Sequence, residues 1–312
     1  MLTTILNHNE AINNYILELN SPYSSALKNH MINLVSGITV TEGSKNLSSI
    51  YSKLTCNRHR STGSRFLSSY SWNHEYVTDE RIFHAISEIS STSKDDDVGF
   101  LIIDDTLSKK DISTKHIEGL DFHNSHADGN KPMWSHCLVT SHYTINDCSI
   151  PLNFKQYQRK KVFKNNPKKF KDKQQLAIEL INEFTPATKT NHLLIDSWYT
   201  SAKILLHSLV NGCHSIGRIK SNRVIYPASI KIGVDKFSKH IMPNETSIVT
   251  ASNNKYYVYR YEGKLNDIEN AVVLMSWSKQ DLSDNPCFLI STDISLDNQT
   301  IISYYENAGI LK

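Results

Sequence analysis

The chain has no run of about eighteen or more apolar residues, which leaves no conventional membrane-spanning helix to expect. Its opening stretch, Met1 to Glu10, lacks the basic start, apolar segment and small-residue cleavage site of a secretory signal, so secretion is not expected. Cysteine is sparse. The five present (Cys56, Cys137, Cys148, Cys213, Cys287) are odd in number and scattered, which argues against a disulfide framework and fits reduced thiols in a cytosolic protein. No internal repeat is visible, so solenoids and propellers are not indicated. His116, His123, His126, His136 and His142, with Cys137 and Cys148, match no standard zinc finger or ribbon spacing. A net charge of +3 says little as a total. Its distribution says more.

From Lys155 to Lys173 there are nine basic residues (Lys155, Arg159, Lys160, Lys161, Lys164, Lys168, Lys169, Lys171, Lys173) against one acid, Asp172. Such a run is either a solvated loop or the electrostatic footprint of a polyanion. Two apolar, strand-like segments bracket it, and each ends on aspartate: Phe100 to Thr106, which carries Asp104 and Asp105, and His192 to Tyr199, which carries Asp196. One acid after a strand is an ordinary turn former. A pair of strand-borne carboxylates on either side of a basic segment instead suits Mg²⁺ held against a phosphodiester, because Mg²⁺ takes oxygen ligands and keeps several of its waters.

A length of 312 residues suggests about two domains. Residues 1–90 read as helical. Tyr23, Leu27, Met31, Leu34, Val35 and Ile38 recur at helical steps, and Lys53, Arg58, Arg60, Arg65 and Trp72 suggest a small DNA-reading module. The polar stretch 87–97 reads as a linker. Antiparallel strands are expected over 134–152. A helix should begin after Asp172, where Gln175 completes a capping box, and bury Leu176, Ala177, Leu180, Ile181 and Phe184. A second helix, with Ala202, Leu205, Leu206, Leu209 and Val210 on its apolar side, should stop at Gly212. A strand through His214 to Ile219 should follow. The region 221–292 reads as strands separated by turns.

Taken together, Ile103-Asp-Asp-Thr106, the Ile150-Pro-Leu152 strand, the lysine-rich segment, Asp196-Ser-Trp-Tyr199 and Arg218-Ile-Lys-Ser-Asn-Arg223 resemble the DDE transposases of the IS4 type. The resemblance spans roughly 45–312. It implies an α/β fold: a ribonuclease-H-like mixed-sheet core (98–220), a helical N-terminal DNA-binding region (1–90), a β-rich insertion after the second aspartate (221–292), and the start of a closing core segment (293–312). It implies DNA strand cleavage and transfer with Mg²⁺ or Mn²⁺, a double-stranded DNA partner, a homodimer in the DNA complex, and a cytoplasmic, nucleoid-associated location. Asp105, immediately before Thr106, matches the first catalytic and metal-binding aspartate, with Asp104 as the alternative. Asp196 matches the second. Lys160, Lys161, Lys168, Lys169, Lys171, Arg218, Lys220 and Arg223 are the expected DNA contacts, and Tyr305 aligns with a tyrosine near the cleaved end.

The family's last motif continues from that tyrosine to an arginine, a catalytic glutamate and a lysine. Here Tyr304 to Asn307 agrees, then Ala308 stands at the arginine position and Lys312 at the glutamate position. The expectation is a C-terminally truncated member with impaired catalysis. Glu306 would be a substitute ligand only if it were not the family's spacer residue. Trp277 is either a base-stacking residue or a half-buried strand tryptophan. Two other classes stay open: a non-catalytic DNA binder that occupies transposon ends, and a ribonuclease-H-like hydrolytic nuclease.

Overall fold

A computed structural model describes residues 9–19, 22–54, 59–125 and 129–307. The chain divides into two compact units, 1–89 and 90–312. Arg58, Cys56, His126, Ala308 and Lys312, all named above, lie outside the described residues.

The first unit is helical: α1 (Glu10–Glu18), α2 (Ser25–Val40), α3 (Leu47–Tyr51), α4 (Arg60–Ser69) and α5 (His74–Thr92). Asn9, Ser24 and Asn46 cap the first three, each accepting a backbone N–H in the first turn. The buried side of α2 differs from the apolar pattern: it carries His30, Met31, Ile32, Asn33, Ser36 and Gly37, while Val35 and Ile38 are exposed. The reason is packing chemistry. His30 stacks on Phe66 with ring centroids 5.3 Å apart, and Gly37 admits Ile50, whose Cγ2 lies 2.5 Å from where a Cβ would stand. Trp72 also stacks on Phe66, at 5.2 Å, so it belongs to this unit's core rather than to a basic surface. Arg60 donates to the Ser48 hydroxyl, and Arg65 is exposed. The stretch expected as a linker is helical as far as Thr92, because α5 runs through it.

The second unit is built on one twelve-stranded sheet. Its elements are β1 (Val98–Lys109), β2 (Asp121–Ser125), β3 (Lys131–Ile145), β4 (Cys148–Tyr157), α6 (Lys173–Asn182), β5 (Thr190–Ile195), α7 (Ala202–Val210), β6 (His214–Arg218), β7 (Val224–Ile225), β8 (Ile232–Gly233), α8 (Val234–Ser238), β9 (Ser247–Ala251), β10 (Asn254–Leu265), β11 (Ile268–Trp277), β12 (Cys287–Ser291) and α9 (Asn298–Asn307). β4, β3 and β1 pair antiparallel; β1, β5 and β6 pair parallel. This mixed order, with helices between the parallel strands, is the ribonuclease-H-like core that the resemblance implies. The Pro151 strand, β4, pairs only with β3, and such an edge accepts a residue without an N–H.

The strands of 221–292 continue the same sheet, since β12 pairs antiparallel with β6 and leads on to β11 and β10. Trp277 ends β11 only 2% exposed, which rules out open stacking there and makes it a core residue. The capping box at Asp172 and Gln175 forms, and α6 buries Leu176, Ala177, Leu180 and Ile181. α7 buries Leu205 as expected, together with Ile204 and Ser208, and leaves Leu206 and Val210 of the expected side exposed. Apolar residues lie on more than one side of this helix, so composition does not mark its inner face. One face of the sheet carries Ile102, Leu194, Ile216, Val272, Leu274 and Leu289 under Ile301 and Ile302 of α9.

Candidate active site

The parallel strands set the site. Ile103 of β1 is level with Ile195 of β5, which is level with Gly217 of β6. One residue further on, the same row becomes Asp104, Asp196 and Arg218. Side chains alternate between faces along a strand. Because Ile102, Leu194 and Ile216 lie under α9, the following even-numbered row is directed to that face. Tyr305 of α9 feels the charges of Arg218, Asp196 and Asp104.

Asp105 takes the opposite face. Its Oδ2 is 2.5 Å from Nζ of Lys173, the first residue of α6, and its Oδ1 accepts a 3.4 Å hydrogen bond from the Tyr199 hydroxyl. The Cys137 thiol is 3.8 Å away. Burial disfavours the Lys173 ammonium, yet the Asp105 carboxylate more than offsets this and holds its pKa above the ordinary lysine value. Asp105 therefore already has a cation. Asp104 has none of its own. Burial raises its carboxyl to a pKa of about 6; the Asp105 N–H bonded to it at 2.7 Å works the other way, and the charges of Asp105 and Asp196 add to the rise. Asp196 is also raised, first by burial; the N–H groups of Trp198 (2.9 Å) and Tyr199 (3.2 Å) oppose this, and the Asp105 charge adds to it. The two hydrogen bonds fix Asp196 in a turn directed by the backbone.

Gly217 permits this arrangement. A Cβ there would stand 2.6 Å from Thr200 Cγ2 and 2.7 Å from the Ile195 carbonyl oxygen. Thr200 in turn donates to the Arg218 carbonyl at 2.8 Å, and Arg223 donates to the Thr200 carbonyl at 2.7 Å. Gly217→Ala is expected to cost about 1–3 kcal/mol in thermal or urea unfolding, since backbone must shift to relieve the overlap. The same substitution at Gly212, where a Cβ meets nothing within 4 Å but φ is +72°, should cost about 1 kcal/mol through backbone conformation alone.

The expected DNA contacts divide by environment. Arg218 and Lys220 are exposed and line a cleft of about 500 Å³ with Ser197, Ser221, Asn222 and Phe288, beside the Asp196 turn. Arg223 is half-buried and holds the Thr200 carbonyl. Lys161 pairs with Asp121 at 2.8 Å and Lys171 with Glu179 at 2.5 Å, as Lys155 does with Glu183 at 2.5 Å. Lys160, Lys164, Lys168 and Lys169 are exposed and form no ion pair among the described residues. The Tyr305 hydroxyl is buried without a hydrogen-bond partner, and burial pushes its pKa up. Glu306 turns to Tyr256, whose hydroxyl is 2.5 Å from Oε1 and is pushed up to about 12 by burial and that carboxylate. Two residues that sequence reasoning passed over matter here. Lys173 belongs to the basic run, and its place directly after the helix cap fixes it beside Asp105. Trp198 was read only as part of the strand-end motif; it is 48% exposed beside Asp196.

Among the described residues no group of three or more His, Cys, Asp and Glu side chains is arranged to hold a metal ion. Cys137 and Cys148 sit at opposite ends of the β3–β4 hairpin. Asp104 and Asp196 nevertheless fit a hard cation. Two half-buried carboxylates, each raised by burial and by neighbouring negative charge, are oxygen donors whose charge a Mg²⁺ ion and its waters would offset.

The family model of the DDE superfamily endonucleases matches residues 24–235, more than half of the chain. The chain belongs to the DDE superfamily endonucleases. The matched region includes β1 with Asp104 and Asp105, the basic segment, Asp196 and the Arg218–Arg223 loop; α9 lies beyond it. Membership implies nuclease or transposase-type chemistry on DNA, and endonucleases of this superfamily generally use divalent metals. No curated protein matches the chain. Among the described residues, no helix of this DDE endonuclease is long and apolar enough to cross a membrane.

Proposed function

We propose that this DDE endonuclease cleaves DNA phosphodiesters and transfers the resulting ends by Mg²⁺- or Mn²⁺-dependent phosphoryl transfer, as IS4-type transposases do. The observation that carries the reading is that Asp104, Asp196 and Arg218 each follow directly on the last residues, Ile103, Ile195 and Gly217, of the parallel pairing between β1, β5 and β6. Asp104 and Asp196 are the proposed metal-binding carboxylates. Asp105 positions β1 through its pair with Lys173.

A bound Mg²⁺ supplies charge neutralisation for the phosphoryl oxygens. The chain's own groups do the rest. Arg218 and Lys220 hold the flanking phosphates in the cleft beside Asp196. The buried Tyr305 hydroxyl, with no hydrogen-bond partner among the described residues, is a donor left over for a ligand of the neighbouring carboxylates. Exposed Lys160, Lys164, Lys168 and Lys169 track the DNA backbone further out, and Lys161 and Lys171 join them by exchanging weak surface ion pairs for phosphate. Such a DNA-bound protein would be nucleoid-associated and would act on two ends as a homodimer.

Two carboxylates rather than three are supplied by the described residues on this face, and Glu306 is engaged with Tyr256. That observation favours a second reading, a DNA binder that occupies ends without cutting them. Incubating the purified protein with DNA carrying candidate terminal repeats, with Mg²⁺, Mn²⁺ or EDTA, separates the outcomes. Joined ends in a metal-dependent reaction are the expected result; hydrolysed ends indicate a nuclease only. Intact DNA with salt-sensitive binding indicates the second reading, and absence of DNA binding at low salt contradicts both.

A further inference from the structure

The geometry points to Trp198 as a stacking platform for an unpaired nucleobase beside the reacting phosphate, an inference that rests on the DNA-processing reading above. The sequence has four tryptophans, and three are absorbed by packing. Trp277 is 2% exposed, Trp72 lies on Phe66 with centroids 5.2 Å apart, and Trp134 packs on Phe122 and donates its ring N–H to the Thr114 carbonyl at 3.0 Å. Trp198 is 48% exposed.

Its place is fixed. The Trp198 backbone N–H donates to Asp196 Oδ1 at 2.9 Å, so the indole rides on the same turn as that carboxylate. The next residue, Tyr199, is fully buried and bonded to Asp105, which anchors the turn on its other side. The indole is about half open to water, and beyond the lysine ammonium groups over its ring it leaves apolar area for an incoming group.

The surroundings select that group. Lys220 Nζ lies 4.9 Å from the indole centroid and Lys173 Nζ 6.0 Å. Lys173 is neutralised by Asp105, while Lys220 forms no ion pair among the described residues and faces the cleft with Arg218. An exposed indole carrying an ammonium that has no ion pair among the described residues matches one nucleotide: the phosphate draws the Lys220 ammonium off the ring, and the base takes its place on the indole. A paired base inside a duplex offers only its edge, so the platform favours an end with an unpaired nucleotide.

The test compares a DNA duplex carrying a short single-stranded overhang with the blunt duplex of the same sequence. Fluorescence anisotropy with wild type, Trp198→Ala and Trp198→Phe gives the ratio of affinities. Wild type should prefer the overhang by on the order of tenfold, Trp198→Phe should keep most of that preference, and Trp198→Ala should bring the ratio close to one. Intrinsic tryptophan fluorescence should fall on overhang binding in wild type and not in Trp198→Phe. A Trp198→Ala ratio equal to that of wild type, with DNA still bound, overturns the platform alone. Failure of wild type to bind either duplex overturns the DNA-processing reading and the platform with it.

Discussion

Asp196→Asn is expected to lower metal-dependent DNA cleavage by at least about a hundredfold, and Asp104→Asn by a similar factor. Asparagine keeps the size and the hydrogen-bonding oxygen, so the turn at Asp196 can still accept the N–H groups of Trp198 and Tyr199. What disappears is the negative charge. Asp105→Asn should behave differently, because it removes the partner of half-buried Lys173 and leaves that ammonium uncompensated. Its first effect should be lost stability, on the order of 3 kcal/mol, with the metal response retained in the folded fraction. Cleavage rates and unfolding curves measured on the three variants separate these patterns.

Asp104 also predicts a pH dependence of definite sign. Its folded-state pKa of about 6 lies above the ordinary value of 3.8, so folding disfavours the ionised form. Below about pH 4 both states hold the proton and the group has no effect on stability. Between about pH 4 and 6 the unfolded chain gives up its proton first, and stability falls as pH rises; above about 6 the cost is constant. Relative to wild type without metal, Asp104→Asn should therefore gain about 1–2 kcal/mol at pH 7, a figure reduced for the group's partial contact with water. Little difference should remain near pH 4. Added Mg²⁺ should stabilise wild type at pH 7 and lose that effect below about pH 6, as Asp104 takes up its proton.

The second large effect concerns the basic segment. Replacing Lys160, Lys164, Lys168 and Lys169 together by alanine should weaken DNA binding on the order of a hundredfold at moderate salt. The slope of log affinity against log salt should become shallower by about one for each lysine that meets a phosphate. The same number of substitutions at Lys155, Lys161, Lys171 and Lys173 should affect binding less and stability more, because those ammonium groups face Glu183, Asp121, Glu179 and Asp105. Equal losses of affinity in both sets would mean that the whole run acts as one diffuse charge.

Part of the fold was readable because some of its strands are apolar runs followed by an acid or an asparagine. β5 ending at Asp196 and the capped helix α6 are examples. The face taken by each of two neighbouring aspartates was not readable. Asp104 and Asp105 differ only in parity along β1, and their environments come from residues far away in sequence: Lys173 and Tyr199 on one side, Tyr305 on the other. Matching Thr106 to a family motif favours Asp105, whereas the shared row with Asp196 favours Asp104. Charge counting along 155–173 likewise could not show which lysines meet acids in β1, in β2, in α6 or at the end of α6. The buried face of α2 escaped an apolar periodicity because His30, Asn33 and Ser36 occupy it. Tryptophans give no sign of their exposure in a strand-rich pattern, which is why Trp277 drew attention and Trp198 did not.

Binding of Mn²⁺ at pH 7.5, followed by the loss of free-ion electron paramagnetic resonance signal, tests the central claim most directly. The row of Asp104 and Asp196 predicts saturable binding by wild type, retained in folded Asp105→Asn and lost in both Asp104→Asn and Asp196→Asn. Loss of binding in Asp105→Asn, with Asp104→Asn binding as wild type does, would contradict it.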